Sequence, residues 1–318
     1  MSRERAEAEF EVALAALNET VRAQLARRES PPFDLPTAFE AIRRRAQTLG
    51  MSERAGEVDD FGLDPVVVDR SRRYFEWLRR RYWRVVVHGI DNVPTSGPVL
   101  FVGNRSGLLP FDGLLSAHVI ERELPAIARP RFLVADWLIT QPFAQPFLAR
   151  LGGVRACPEN ATRLLQMGTS VIAFPEGAKG ATKLFRDRYR LRRFGRGGVL
   201  RLARATGVPV VPLAIVGAEE IYPILMRSGT LARQLGVPLF PVTPTFPWLG
   251  LAGVLPLPSK WHIEFGEPFE MPSRPAAGSS EELLIAEQTD RLRLTLQRQV
   301  DRLARARERE GEPVEGAA

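Results

Sequence analysis

The sequence predicts an α/β domain with a mostly parallel central sheet flanked by helices, over about residues 85–270. Short apolar runs rich in β-branched residues recur along this stretch, segments long enough for crossover helices separate them, and Gly or Pro marks many of their ends. Because 45% of the 318 residues are apolar, a chain disordered throughout is excluded.

Residues 1–60 read as an accessory helical and linker region. Phe10, Leu14, Leu17, Val21 and Leu25 recur at helical spacing, Pro31 and Pro32 interrupt the pattern, and Met51 to Asp60 is polar. Residues 61–84 form a second helical pattern, with Tyr74, Phe75, Trp77, Leu78, Tyr82 and Trp83 set among arginines. Polar-edged aromatics and long-stemmed arginines suit a water–lipid boundary, and they equally suit a surface helix packed on the core. Both readings stay open.

The predicted strands follow in order: Val85 to Val87, Val99 to Val102, Phe132 to Ala135, Val171 to Phe174 and Val208 to Val216. Gly113 to Arg122 and Asn160 to Met167 are the crossover helices expected between them. From 237 to 257, prolines alternate with Phe240, Phe246, Trp248, Leu249 and Leu255, so an irregular apolar loop is expected, covering core or touching lipid. Trp261 to Phe265 alternates as a closing strand. In the linker and terminal-helix region, 271–306, Ser279 and Glu282 have capping-box spacing. A stripe of Ile285, Leu292, Leu296 and Leu303 follows, and 307–318 is expected to be a disordered tail.

Lys and Arg number 44 against 37 Asp and Glu, a formal charge of +7. Arginines crowd residues 70–84 and 186–196, which suits a phosphate-bearing partner. No reader module or organised set of stacking aromatics accompanies them, so nucleic acid is not the expected partner. Cys157 is the single cysteine, which excludes an intrachain disulfide and fits a reducing compartment. No secretory leader or uninterrupted spanning stretch is read, nor any metal-ligand spacing or nucleotide-binding glycine motif.

The chemistry-bearing motifs sit where apolar runs end. Asn104-Arg105-Ser106-Gly107 leads on to Pro110-Phe111-Asp112 after the second run, and Phe174-Pro175-Glu176-Gly177 follows the fourth. Between them lies Leu151-Gly152-Gly153-Val154-Arg155; downstream come Lys179-Gly180, a basic run from Lys183 to Arg190, and Val208-Pro209-Val210-Val211-Pro212. In this order the blocks resemble the glycerophospholipid acyltransferase superfamily, over roughly residues 80–270.

The resemblance implies transfer of a fatty acyl group from a thioester, acyl-CoA or an acyl-carrier protein, to a glycerol-phosphate or lysophospholipid acceptor, with no bound cofactor or metal. It also implies a membrane phospholipid or lysophospholipid partner and a peripheral place at the inner face of the cell membrane. Asn104 matches the family's Asn and Asp112 its orienting Asp, whereas Arg105 stands where the catalytic His is expected, with a wider interval to Asp112 than the family's. A guanidinium stays protonated and offers no basic lone pair, so Arg105 is not expected to act as a base. A neighbouring Arg105 is expected to pull the Asp112 pKa down. Arg155, Glu176, Gly177 and Lys179 are the expected acceptor and phosphate ligands; His88, His118 and His262 are expected to be packed or solvent-facing. The alternative reading is a catalytically silent binder of lipid or acyl thioester.

Overall fold

The computed structural model describes residues 58–107, 109–141, 144–234, 240–272 and 280–311. The helical pattern expected within residues 1–55 lies outside them.

Asp64 opens the first helix among the described residues, α1 (Pro65–Trp77): its Oδ1 accepts from the N–H groups of Val66 and Val67 at 3.0 and 3.2 Å, and Pro65 pre-sets the first turn. A π-helical turn, Leu78–Tyr82, extends it. This segment buries Val68, Phe75 and Leu78 against the core and leaves Tyr74 and Trp77 about half exposed, so it has one packed face and one open aromatic face.

The strands are β1 (Val86–His88), β2 (Leu100–Gly103), β3 (Arg131–Val134), β4 (Gly153–Arg155), β5 (Val171–Ala173), β6 (Val210–Val216), the short pair β7 (Met226–Arg227) and β8 (Pro241–Val242), and β9 (His262–Phe265). The helices that follow α1 are α2 (Phe111–Glu123), α3 (Asp136–Ile139), α4 (Ala144–Arg150), α5 (Pro158–Gln166), α6 (Gly177–Ala181), α7 (Gly198–Thr206), α8 (Gly229–Gln234) and α9 (Glu281–Gly311). The main sheet has seven strands in the order β1-β9-β6-β2-β5-β3-β4. From β6 to β4 neighbours are parallel; β9 pairs antiparallel with β6, and β1 parallel with β9. The mostly parallel sheet read from the sequence is present.

Alternation along the strands fills both faces, as a central parallel sheet requires. Phe101, Phe132, Ile172, Leu213 and Ile263 join the core beneath α1, α2 and α4. Leu100, Val102, Val171, Ala214 and Val216 join the other, beneath α5, α7 and α9.

Three local expectations change. Residues 153–155 add a strand absent from those read in the sequence: after Gly152, at φ +101°, Gly153, Val154 and Arg155 pair with Phe132, Leu133 and Val134 as the edge strand. Helix α9 is capped by Ser280, whose Oγ accepts from the Leu283 N–H at 3.2 Å; Ser279 lies outside the described residues. The helix also runs past residue 307, because Arg307 pairs with Glu220 and donates to the Tyr189 hydroxyl at 3.1 Å. Residues 312–318 lie outside the described residues.

Candidate functional site

Adjacent parallel strands β6, β2 and β5 deliver their carboxyl ends to one edge of the sheet, the place where open α/β sheets form ligand sites. Asn104 extends the ladder after β2 through its side chain. Nδ2 donates to the Ile215 carbonyl and Oδ1 accepts from the Ile215 N–H, both at 2.8 Å. That clamp fixes the direction in which the next residue leaves the sheet.

Arg105 is therefore buried, and it ties two segments together. Its guanidinium donates to Asp112 Oδ1 at 2.8 Å, while its backbone N–H donates to Glu176 Oε1 at 2.9 Å. The guanidinium also lies 5.4 Å from the centre of the Phe174 ring. Asp112, in the first turn of α2, takes further bonds from the Gly113 N–H at 2.8 Å, the Ser106 N–H at 3.0 Å and the Ser106 hydroxyl at 3.3 Å.

Burial pushes the Asp112 carboxyl up, and the Arg105 guanidinium with the N–H groups of Ser106 and Gly113 opposes that push without cancelling it. This reverses the downward shift expected from the sequence, because full burial outweighs the charge partner. Donors still occupy both carboxylate oxygens, so Asp112 is held in place as a hydrogen-bond acceptor.

Glu176 is also enclosed. Its Oε2 accepts from the Arg192 N–H at 2.7 Å and lies 3.4 Å from Lys183 Nζ. Lys183 in turn donates to Glu219 Oε1 at 2.8 Å, and Glu219 Oε2 accepts from the Tyr189 N–H at 3.1 Å. Burial pushes Glu219 up against the pull of Lys183. The result is a buried carboxylate–ammonium–carboxylate chain behind the Arg105 loop, in which Glu176 orders neighbouring donors. Gly180 is required by this packing: a Cβ there would lie 2.6 Å from the Glu176 Cβ and 2.8 Å from the Arg105 Cβ.

In front of the loop lies an apolar groove of about 240 Å³, walled by Trp137, Cys157, Ala161, Ala178, Val199 and Leu202. Arg105 is the one charged residue among the described residues that line it, and Gly177, at φ +57°, also faces it. On the far side of Gly180 is a narrow recess lined by Gly107, Lys183, Glu219 and Tyr222.

The other expected ligands sit apart from this centre. Arg155 is exposed at the end of β4 in a two-bond pair with Asp136, each contact 2.9 Å, and it does not line the groove. Lys179 is exposed on the outer side of α6, with no polar partner among the described residues. His118 turns away to Glu76, with its Nε2 3.1 Å from the carboxylate, and His88 and His262 bond each other at 3.2 Å on the reversed strands. None of these histidines lines the groove. Among the described residues no group of three or more His, Cys, Asp or Glu side chains is placed to hold a metal ion.

The fold is an α/β domain whose candidate site lies at the carboxyl edge of a mostly parallel sheet. The sequence profile of the Acyltransferase family matches residues 84–216. An uncharacterized protein of Mycobacterium leprae is 44% identical over 251 residues, covering 79% of this chain and 68% of that protein. Residues 84–216 therefore form an acyltransferase-family domain. It is also 25% identical over 227 residues to a chloroplastic 1-acyl-sn-glycerol-3-phosphate acyltransferase of Arabidopsis thaliana, covering 64% of this chain and 61% of that protein. Among solved structures, the 1-acyl-sn-glycerophosphate acyltransferase PlsC of Thermotoga maritima aligns over 76% of this chain and 79% of its own, with 22% identity and a TM-score of 0.46.

Proposed function

We propose that this chain brings a fatty acyl thioester and a glycerol-phosphate or lysophospholipid acceptor together for acyl transfer. The observation that carries the reading is the apolar groove ending on the buried Arg105 at the carboxyl edge of the sheet. An acyl chain fits such a lining by burial of its methylenes, and the guanidinium offers donors to a carbonyl or phosphate oxygen at the groove's charged end. In the reaction the acceptor hydroxyl oxygen bonds to the thioester carbonyl carbon, the C–S bond breaks, and the thiol leaves with the hydroxyl proton. The help available from the named side chains is positioning and charge, because Arg105 supplies no lone pair.

A second reading, a silent binder of lipid or thioester, is favoured by the Arg105–Asp112 pair itself: it stands where the family resemblance puts the catalytic His. Incubation of the purified full chain with a labelled acyl thioester and a panel of lysophospholipids separates the readings. Labelled diacyl product above a no-protein control supports transfer. Thioester binding without product supports the silent reading, and neither binding nor product removes both.

A further inference from the structure

The open aromatic face of α1 continues into the loop after β8. Tyr74 stacks on Trp77 at 6.4 Å between ring centres, and Trp77 on Tyr82 at 5.2 Å. The Tyr82 hydroxyl then donates to the Pro256 carbonyl at 2.6 Å, and the Tyr222 hydroxyl to the Val254 carbonyl at 2.7 Å. Leu255, between those anchors, is 68% exposed, and Trp248 at the tip of the same loop is 74% exposed. Leu225 and Met226 extend the exposed surface where the Leu225 N–H reaches the Val242 carbonyl.

Such a run of large apolar side chains needs an occupant, and its charge selects one. Arg70, Tyr74 and Trp77 follow helical spacing along one stripe of α1, and Arg81 comes next in the π-helical turn. Arg70, Arg73, Arg81 and Arg84 are exposed and have no carboxylate partner among the described residues, whereas Glu76, the one acid of residues 70–84, is engaged by Arg79, Arg80, Arg122 and His118, and Asp69 by Arg72. Residues 221–260 contain no Asp or Glu at all. Exposed tryptophan and leucine on the loop, with unpaired arginines along the adjoining helix, match a bilayer surface carrying anionic headgroups, where aromatics sit at headgroup depth and arginines meet phosphates.

We infer that α1 and the 240–257 loop together form a docking face for an anionic lipid bilayer. No helix among the described residues is long and apolar enough to cross a membrane, so the contact is interfacial. The face is joined to the candidate site: Tyr222 lies 3.9 Å from where a Cβ on Gly107 would stand, and its ring is 6.4 Å from Phe111, the residue before Asp112. A lipid acceptor leaving the bilayer meets the Arg105 loop first. The docking face does not depend on turnover, and its test reads binding alone.

The test is flotation of the full chain with vesicles of phosphatidylcholine, with or without phosphatidylglycerol. The expected result is binding to the anionic vesicles that falls about tenfold or more in a Trp248→Ser/Leu255→Ser variant and falls with added salt. Arg70→Glu/Arg81→Glu removes the preference for anionic vesicles, while Met167→Ser, at an exposed apolar position elsewhere, binds as the parent does. Equal flotation of the Trp248/Leu255 variant and the parent overturns the inference. So does absence of flotation with self-association that the variant abolishes, since a second copy then covers the face.

Discussion

Arg105 and Asp112 face each other at 2.8 Å across seven residues of chain, and both side chains are buried. The pair closes the loop that the Arg105 N–H also ties to Glu176. Removing one partner of a buried pair leaves the other charged and unpaired, which costs about 3–5 kcal/mol. Arg105→Ala is therefore expected to lower unfolding stability by that order, read as a fall in the urea midpoint at constant slope.

Arg105→His asks a chemical question of the same position. Asp112 keeps its donors from Ser106 and Gly113 and can orient an imidazole, which brings the lone pair that arginine lacks. Turnover of acyl thioester with a lysophospholipid is expected to rise by about 10²-fold or more over the parent. Unchanged turnover would show that Asp112 does not orient this position for chemistry.

Lys183 stands between Glu176 and Glu219, and all these side chains are buried. Lys183→Met leaves those carboxylates facing each other without their cation, and a loss of about 3–5 kcal/mol is expected in denaturant unfolding. A Lys183→Met/Glu219→Gln double variant should recover part of that loss, because one of the stranded charges is gone.

Much of this arrangement was legible in the sequence. The β-branched runs located β2, β5 and β6, and the motifs at their ends placed Arg105, Asp112 and Glu176 at one edge. The partners were harder to read. Lys179 follows the Pro-Glu-Gly turn closely in sequence, but α6 carries it outward, and it is Lys183, past the helix end at Ala181, that folds back to Glu176. Edge strand β4 hid behind the Gly152-Gly153 turn because a three-residue strand has almost no periodicity. Arg155 had no visible partner because Asp136 lies 19 residues upstream, brought alongside by pairing of β3 with β4. The length of α9 depends on Arg307 meeting Glu220, a tertiary contact that local sequence does not signal.

Gly180→Ala tests the packing behind the loop. The added methyl would fall within 2.8 Å of the Arg105 and Glu176 side chains, so one of them must move. Overpacking of this kind costs about 1–3 kcal/mol. Thioester binding should weaken together with stability, which paired calorimetry and titration would detect; an unaltered variant would mean that the contact relaxes freely.

Glu76 sets an acid limit on α1. Burial raises its pKa, but hydrogen bonds from Arg79, His118 and Arg80 prevail and hold the carboxyl at about 2, below its ordinary 4.5. A depressed folded-state pKa gives stability that is present above about pH 4.5 and is lost as the pH falls toward about 2. With solvent screening the contribution is about 1 kcal/mol. Glu76→Gln should make unfolding stability correspondingly flatter across that window, as followed by circular dichroism.

The central claim is that the groove in front of Arg105 holds the acyl chain. A crystal structure of the full chain with a thioether analogue of an acyl thioester tests it most directly. The account predicts the chain's methylenes between Trp137 and Leu202, with the head group against Arg105. An analogue bound elsewhere while that groove stays vacant would contradict it.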